Sequence, residues 1–187
     1  MGLFGLIKDT RNLMKEIKEG IKNAKRYASM SDEEVLALDD KEFYDAVFSR
    51  IGNKVNKVDN KGNNFINLDA LNEYQFAFFV LYEFVLDMQD GGLCQYLCNL
   101  ITVTVQDTSD CLKTMGFDKI AELFDDFVFG NDIDLSMLDD EGLDNEEFYE
   151  SYDFDSFDEK FYEIYESEPI YDTLVKFARE NYDTLSE

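Results

Sequence analysis

The sequence predicts an all-α fold: a globular multi-helix domain over residues 31–187, preceded by a basic amphipathic N-terminal helix over residues 1–30. Three observations carry that expectation. Apolar residues recur at three- and four-residue spacing along most of the chain, no convincing alternating strand pattern appears, and one Pro with ten Gly leaves room for long regular elements. The 187 residues suffice to bury a sizeable core, and seventeen Phe with eleven Tyr separate the chain from a disordered acidic tail.

In the first thirty residues Leu6, Thr10, Leu13, Ile17, Ile21 and Ala24 form a stripe, with Lys8, Lys15, Lys18, Lys22 and Lys25 mostly off it. Three roles compete for this helix: docking on its own domain, adsorption to an anionic membrane through Leu3, Phe4, Leu6 and Ile7, or dimerisation. Ser31-Asp32-Glu33-Glu34 reads as a capping box, and Asp39 followed by Glu42 repeats it ahead of a Phe43, Ala46, Val47, Ile51 stripe expected to stop at Gly52. Residues 53–66 read as a surface loop carrying Lys54, Lys57 and Lys61. Asn67 or Asp69 is expected to start the most apolar helix, with Phe76, Phe79, Val80, Glu83, Phe84 and Met88 making it central. That helix breaks at Asp90-Gly91-Gly92, and a second continues with Leu93, Tyr96, Leu97, Leu100 and Ile101 inward. Thr102–Val105 could be extended, Asp107 caps a short helix ended by Gly116, and Phe117 to Phe129 forms another ended by Gly130. Short helices are expected near 144–152 and 155–167, and Pro169 opens a last one reaching about Tyr182.

Charge is the most unusual property. The formal net charge is −25, and residues 120–172 hold twenty acids against Lys160 alone. Acids alternate there with aromatics, as in Phe148-Tyr149-Glu150-Ser151-Tyr152-Asp153-Phe154-Asp155, so one face can be buried while the other shows carboxylates. This charge repels nucleic acid and anionic surfaces and attracts basic proteins or cations. Three Cys fit a reducing compartment better than a disulfide framework. Neither a signal-peptide core nor a membrane-spanning run is present, so a cytoplasmic location is expected.

Zero His removes the commonest general base, and no phosphate-cradling glycine loop appears, so the chain is expected not to be an enzyme. No cofactor or metal is expected. Cys94, Cys98 and Cys111 read as buried, inert thiols, and Asp132-x-Asp134-x-Ser136 departs from a calcium loop at Met137 and Leu143.

Asp90-Gly91-Gly92-Leu93-Cys94-Gln95-Tyr96-Leu97-Cys98-Asn99 is the most specific local signal. Paired glycines permit a positive-φ turn and close helix approach, while Gln95 and Asn99 share a helix face. They could bond loop backbone, or Gly91, Gly92, Gln95, Tyr96 and Asn99 could form a ligand pocket. Residues 69–129, with this core and Cys111-Leu112-Lys113-Thr114-Met115-Gly116 after it, resemble the bacterial domain named for an acidic DNA-mimic protein. The likeness extends more loosely from Ser31 to Tyr182, and the family usually shows Asn where this chain has Asp90. The resemblance implies an all-helical domain and, from the named member, a dimer whose acidic surface occupies a transcription factor's DNA-binding face.

On that basis the partner is expected to be a basic, DNA-binding protein. The acids expected to meet it are Asp125, Asp126, Asp132, Asp134, Asp139, Asp140, Glu141, Asp144, Glu146, Glu147, Glu150, Asp153, Asp155, Asp158 and Glu159. An immunity or inhibitor protein covering a basic toxin or nuclease is the alternative, and a small-molecule-binding helical domain the third. Duplex DNA carries one charge per about 1.7 Å of axis. Twenty acids over residues 120–172, at a rise of about 1.5 Å each, give one per about 4 Å of helix. One such helix is too sparse, so mimicry requires two adjacent acidic helices or a second subunit.

Overall fold

The structure, a computed structural model, describes residues 18–58, 64–100, 103–138 and 146–187. The described part of α1 covers residues 18–29. It is followed by α2 (Asp32–Leu36), α3 (Asp40–Val55), β1 (Asn56–Val58), β2 (Asn64–Ile66) and a 3-10 turn at Leu68–Ala70. Then come α4 (Glu73–Asn99), α5 (Val105–Thr114), α6 (Asp118–Val128), a 3-10 turn at Leu135–Met137, α7 (Glu146–Ser151), α8 (Phe154–Tyr165), α9 (Ile170–Glu180) and α10 (Tyr182–Ser186). The fold is all-α. The two short strands pair antiparallel, with Lys57 opposite Phe65, and lie where a loop without strands was expected. Three residues per strand are too few for an alternating pattern to register.

α4 is the axis. It packs against α3, α5, α8, α9 and α10, and Phe78, Val80, Leu81, Phe84, Leu93, Tyr96 and Leu97 are buried along it. With partners on several sides its apolar residues need no single stripe, which is the pattern of a helix buried all round.

The helix ends follow local hydrogen-bond chemistry. Ser31 and Glu34 form the expected capping box at α2. Asp39 accepts from the Glu42 N–H at 2.9 Å, whereas the Glu42 carboxylate pairs with Arg26 at 2.7 Å instead of closing a second box. α3 runs on past Gly52 to Val55, because Ile51 and Val55 are both buried and continue its stripe. α4 starts later than expected, with Asn72 as N-cap and the buried Gln75 closing a capping box. Gln75 also donates to the Leu185 carbonyl at 3.0 Å, which ties the start of α4 to α10. At α5 the cap is Thr104, in extended backbone, and Asp107 is the reciprocal partner rather than the cap. Gly116 ends α5 at φ 80°, with Phe117 N–H bonded to Leu112 C=O and Gly116 N–H to Lys113 C=O, the paired pattern of a left-handed helix stop. Pro169 is the N-cap of α9 rather than its first residue, and the chain breaks at Asn181 so that Tyr182 belongs to α10.

Two arginines bind the early helices to the late ones. Arg50 donates to the carbonyls of Tyr27 and Met30, to Asp32 Oδ1 at 2.5 Å and to Tyr182 Oη at 2.7 Å. Arg179 bonds Asp40 and the Leu36 and Leu38 carbonyls and lies 4.2 Å from the Phe43 ring centroid. α1 docks through Tyr27, which is buried, while Ile21 of the expected stripe is 53% exposed. Leu3, Phe4, Leu6 and Ile7, on which the membrane reading rests, lie outside the described residues. No helix of the described residues is long and apolar enough to cross a membrane.

Candidate acidic interaction surface

The alternation of aromatics and acids resolves into two faces. Phe148 on α7 and Phe154, Phe157 and Phe161 on α8 are each 1% exposed. They meet one another and Phe127 of α6 at ring-centroid distances from 5.2 to 6.4 Å, and Phe161 meets Phe84 of α4 at 5.8 Å. Burial of each such ring stabilises the fold by roughly 1.5–3 kcal/mol. The aromatic side therefore fixes how the helices are rotated. Glu146, Glu147, Glu150, Asp153, Asp155 and Glu159 are exposed on these helices, and Asp126 is exposed on α6.

Several of the acids also have local bonds. Asp153 caps α8 by accepting from Ser156 N–H at 3.2 Å, and Asp155 accepts from Tyr149 Oη at 2.7 Å. Asp134 accepts from the backbone and hydroxyl of Ser136, and those bonds hold its carboxyl below the usual range. Its N–H donates to Tyr152 Oη at 2.9 Å, joining the loop after α6 to the turn between α7 and α8. Asp132 is exposed and takes a left-handed turn at φ 51°. Asp139, Asp140, Glu141 and Asp144 lie outside the described residues.

Two of the acids turn toward other helices. Asp125 is half-buried, bonded to Ser109 Oγ at 2.6 Å and paired with Lys113 Nζ at 2.6 Å, so it joins α6 to α5. Asp158 is also half-buried and accepts from Leu93 N–H at 3.0 Å, at the kink of α4; burial raises its pKa and this bond opposes the rise. The sequence carried a signal for both. Asp158 lies four residues after the buried Phe154 and three before Phe161, and Asp125 lies four after Ala121 and three before Val128.

The glycine motif shows what Asp158 is doing there. Gly91 and Gly92 leave helical geometry inside α4, Gly92 at φ 73° and ψ −166°, which frees the N–H of Leu93 for an outside acceptor. A Cβ on Gly92 would lie 1.9 Å from Asp158 Oδ2, so the glycine is what lets α8 approach. Gln95 and Asn99 share a face as expected, but their partner is not loop backbone. Both donate to Asp87 Oδ1, at 3.2 and 2.8 Å, across the kink. Tyr96 Oη meets Thr108 Oγ1 at 2.5 Å in the core. Gln95, Tyr96 and Asn99 thus each have a bond that holds the fold. Asp87 was missed because its partners lie eight and twelve residues away, beyond the range of local patterning.

The thiols of Cys94 and Cys111 are both pushed up to about 12 by burial, for Cys94 with the neighbouring Cys98 adding to it. Thiols held protonated are poor nucleophiles and metal ligands. Among the described residues no group of three His, Cys, Asp or Glu could hold a metal ion.

α6 and α8 pack side by side. Together they carry Asp118, Glu122, Asp125, Asp126, Asp155, Asp158, Glu159 and Glu163. Leaving out Asp125 and Asp158, six remain along the roughly 18 Å of α8, one per about 3 Å. That is nearer to the duplex spacing of about 1.7 Å than a single helix comes, and α7 adds Glu146, Glu147 and Glu150 beside it.

The profile of the DMP19-like protein family matches residues 69–181, which is 113 of the 187 residues. The chain belongs to the DMP19-like protein family. The matched span runs from just before α4 through α9, so the glycine kink, Asp87, Asp158 and the aromatic-backed acidic helices all lie within the DMP19-like part. No curated protein and no solved structure matches the chain.

Proposed function

We propose that this DMP19-like chain is a non-enzymatic binding protein that engages a basic, DNA-binding protein through carboxylates standing where DNA phosphates would be. The observation that carries this reading is the two-faced build of α6–α8: buried phenylalanines on one side and, on the other, exposed carboxylates that no ion pair neutralises among the described residues, within a family named for a DNA mimic. The working set is Asp126, Glu146, Glu147, Glu150, Asp155 and Glu159, with Asp132, Asp134 and Asp153 beside it. Each can accept hydrogen bonds from Lys or Arg, and an Arg–carboxylate pair can be bidentate.

Contacts of this kind lose affinity as salt rises. The test is affinity capture from native lysate at low salt, followed by elution with a salt gradient and, separately, with duplex DNA. A partner of the expected kind elutes in moderate salt and is displaced by duplex. A variant with Glu146, Glu147, Glu150 and Glu159 changed to Gln retains much less of it. A captured protein that holds in high salt, or that binds duplex and this chain together on one face, would overturn the reading.

A further inference from the structure

Between α3, α4 and α9 lies a cavity of about 360 Å³, lined by residues that include Tyr44, Asp45, Tyr82 and Tyr171, with Lys41 and Leu86 also contributing. None of the fifteen acids above takes part in it. Its walls are aromatic and held in place. Tyr82 stacks on Phe48 at 3.7 Å and on Tyr44 at 4.6 Å, and Tyr171 meets Tyr44 edge-on at 5.0 Å.

Two polar groups in this lining are left with unused capacity. Tyr44 is 5% exposed, and its buried hydroxyl has no hydrogen-bond partner among the described residues. A buried hydroxyl without a partner is uncommon and costs stability. Asp45 is half-buried and accepts from Tyr82 Oη through Oδ1 at 2.9 Å, while no ion pair neutralises it among the described residues. Of the two, Asp45 Oδ2 is open to accept a hydrogen bond from a ligand, whereas Tyr44 Oη is sealed behind the ring wall. The surrounding field is mixed: Asp39 and Asp172 lie near Tyr171, Asp40 there is paired with Arg179, and the exposed Lys41 opposes Asp45 from one turn away.

We infer that this cavity is a binding site for an organic cation, a primary ammonium or guanidinium group. Its N–H donors would reach Asp45 Oδ2, with the Tyr44, Tyr82 and Tyr171 rings as its aromatic wall, and its alkyl stem would lie along Val85 and Leu86. Inorganic anions are excluded by the carboxylate, and an aromatic wall suits a weakly hydrated organic cation better than a metal ion. The cation could be a free amine or the Lys or Arg of a bound protein.

Calorimetric titration of the full chain tests this, with n-butylammonium and the capped peptide Ac-Gly-Lys-Gly-NH2 as probes and n-butanol and Ac-Gly-Gln-Gly-NH2 as neutral controls. Because a chain of net charge −25 attracts any cation, Asp69→Asn, at an exposed acid outside both the cavity and the acidic surface, serves as the charge-matched control. The expected result is saturable binding of a cationic probe that Asp45→Asn weakens about tenfold or more, while Asp69→Asn and the wild type agree within about twofold. The melting temperature of Asp45→Asn, read alongside, shows that this variant is folded. Tighter binding of the peptide assigns the site to a protein side chain, and equal or tighter binding of butylammonium assigns it to a free amine. Equal losses in Asp45→Asn and Asp69→Asn, binding of the neutral probes as tight as the cations, or no saturable binding would each overturn the inference.

Discussion

Replacing Gly92 by Ala should be among the most destabilising single-methyl changes available to this protein. Two separable costs arise. At φ 73° and ψ −166° the backbone occupies a region essentially reserved for glycine, so an alanine there stores about 1–3 kcal/mol of strain. The new methyl would also fall 1.9 Å from Asp158 Oδ2. Asp158 can swing away, but then it gives up the 3.0 Å bond from Leu93 N–H, a charge-assisted bond in a half-buried place. Losing that bond and leaving the N–H unpaired costs about 1.5–3 kcal/mol. Together the loss is about 2.5–6 kcal/mol. With a urea slope of about 2 kcal/mol per molar, the midpoint should fall by roughly 1.2–3 M. Placed in an Asp158→Ala background, Gly92→Ala should cost only the strain, about 1–3 kcal/mol, which leaves a coupling of about 1.5–3 kcal/mol between the two positions. Urea unfolding followed by circular dichroism on the four chains gives the cycle directly. A loss below about 1 kcal/mol for Gly92→Ala, or the same loss in both backgrounds, would refute the account of why α8 sits where it does.

Three further outcomes follow from the same geometry. Arg50→Met removes a guanidinium serving Asp32, Tyr182 and the Tyr27 and Met30 carbonyls, and should lower stability by about 3–5 kcal/mol, whereas Asp32→Asn, at the exposed end of the pair, should cost about 1 kcal/mol or less in the same urea assay. Burial, with Asp87 nearby, pushes the Glu83 carboxyl up to about 7. The unfolded chain therefore loses this proton first as pH rises from about 4.5, so its contribution to stability falls between about pH 4.5 and 7 and is gone above that window. Because Glu83 is partly solvated the effect is on the order of 1–2 kcal/mol, and a Glu83→Gln chain should show a shallower fall over that interval. A thiol reagent at pH 8 should leave Cys94 and Cys111 unmodified in the folded chain on the timescale of minutes and modify them promptly in guanidinium, as read by mass spectrometry of the labelled peptides.

Local patterning found what is locally determined. The capping box at Ser31, the stop at Gly116, the break at Gly91-Gly92 and the centrality of α4 are each encoded within a few residues, and they appear where expected. The errors cluster where a distant contact decides. α3 passes Gly52 because Val55 has a buried seat to reach, and α4 waits until Asn72 because Asn72 and Gln75 also bond the Thr184 and Leu185 carbonyls of α10. The acidic surface was legible as composition and as two faces. That Asp125 and Asp158 turn inward was signalled by their spacing from buried neighbours, but their partners, Ser109 and Lys113 for Asp125 and Leu93 for Asp158, come from helix packing that spacing does not specify. The Tyr44–Asp45–Tyr82–Tyr171 cavity escaped for the same reason, its walls coming from three helices far apart in the chain.

The four phenylalanines at the base of α7 and α8 have a kinetic consequence. With Phe148, Phe154, Phe157 and Phe161 seated at 1% exposure, the backbone carrying the outward carboxylates gave up its conformational freedom when the protein folded. Binding to such a surface orders little beyond side-chain rotamers, unlike a disordered acidic segment that must fold as it docks. A preorganised, strongly negative face favours fast, electrostatically steered encounter. Weakening a phenylalanine seat, for instance with Phe157→Leu, should therefore change how fast a basic protein associates without removing a single charge.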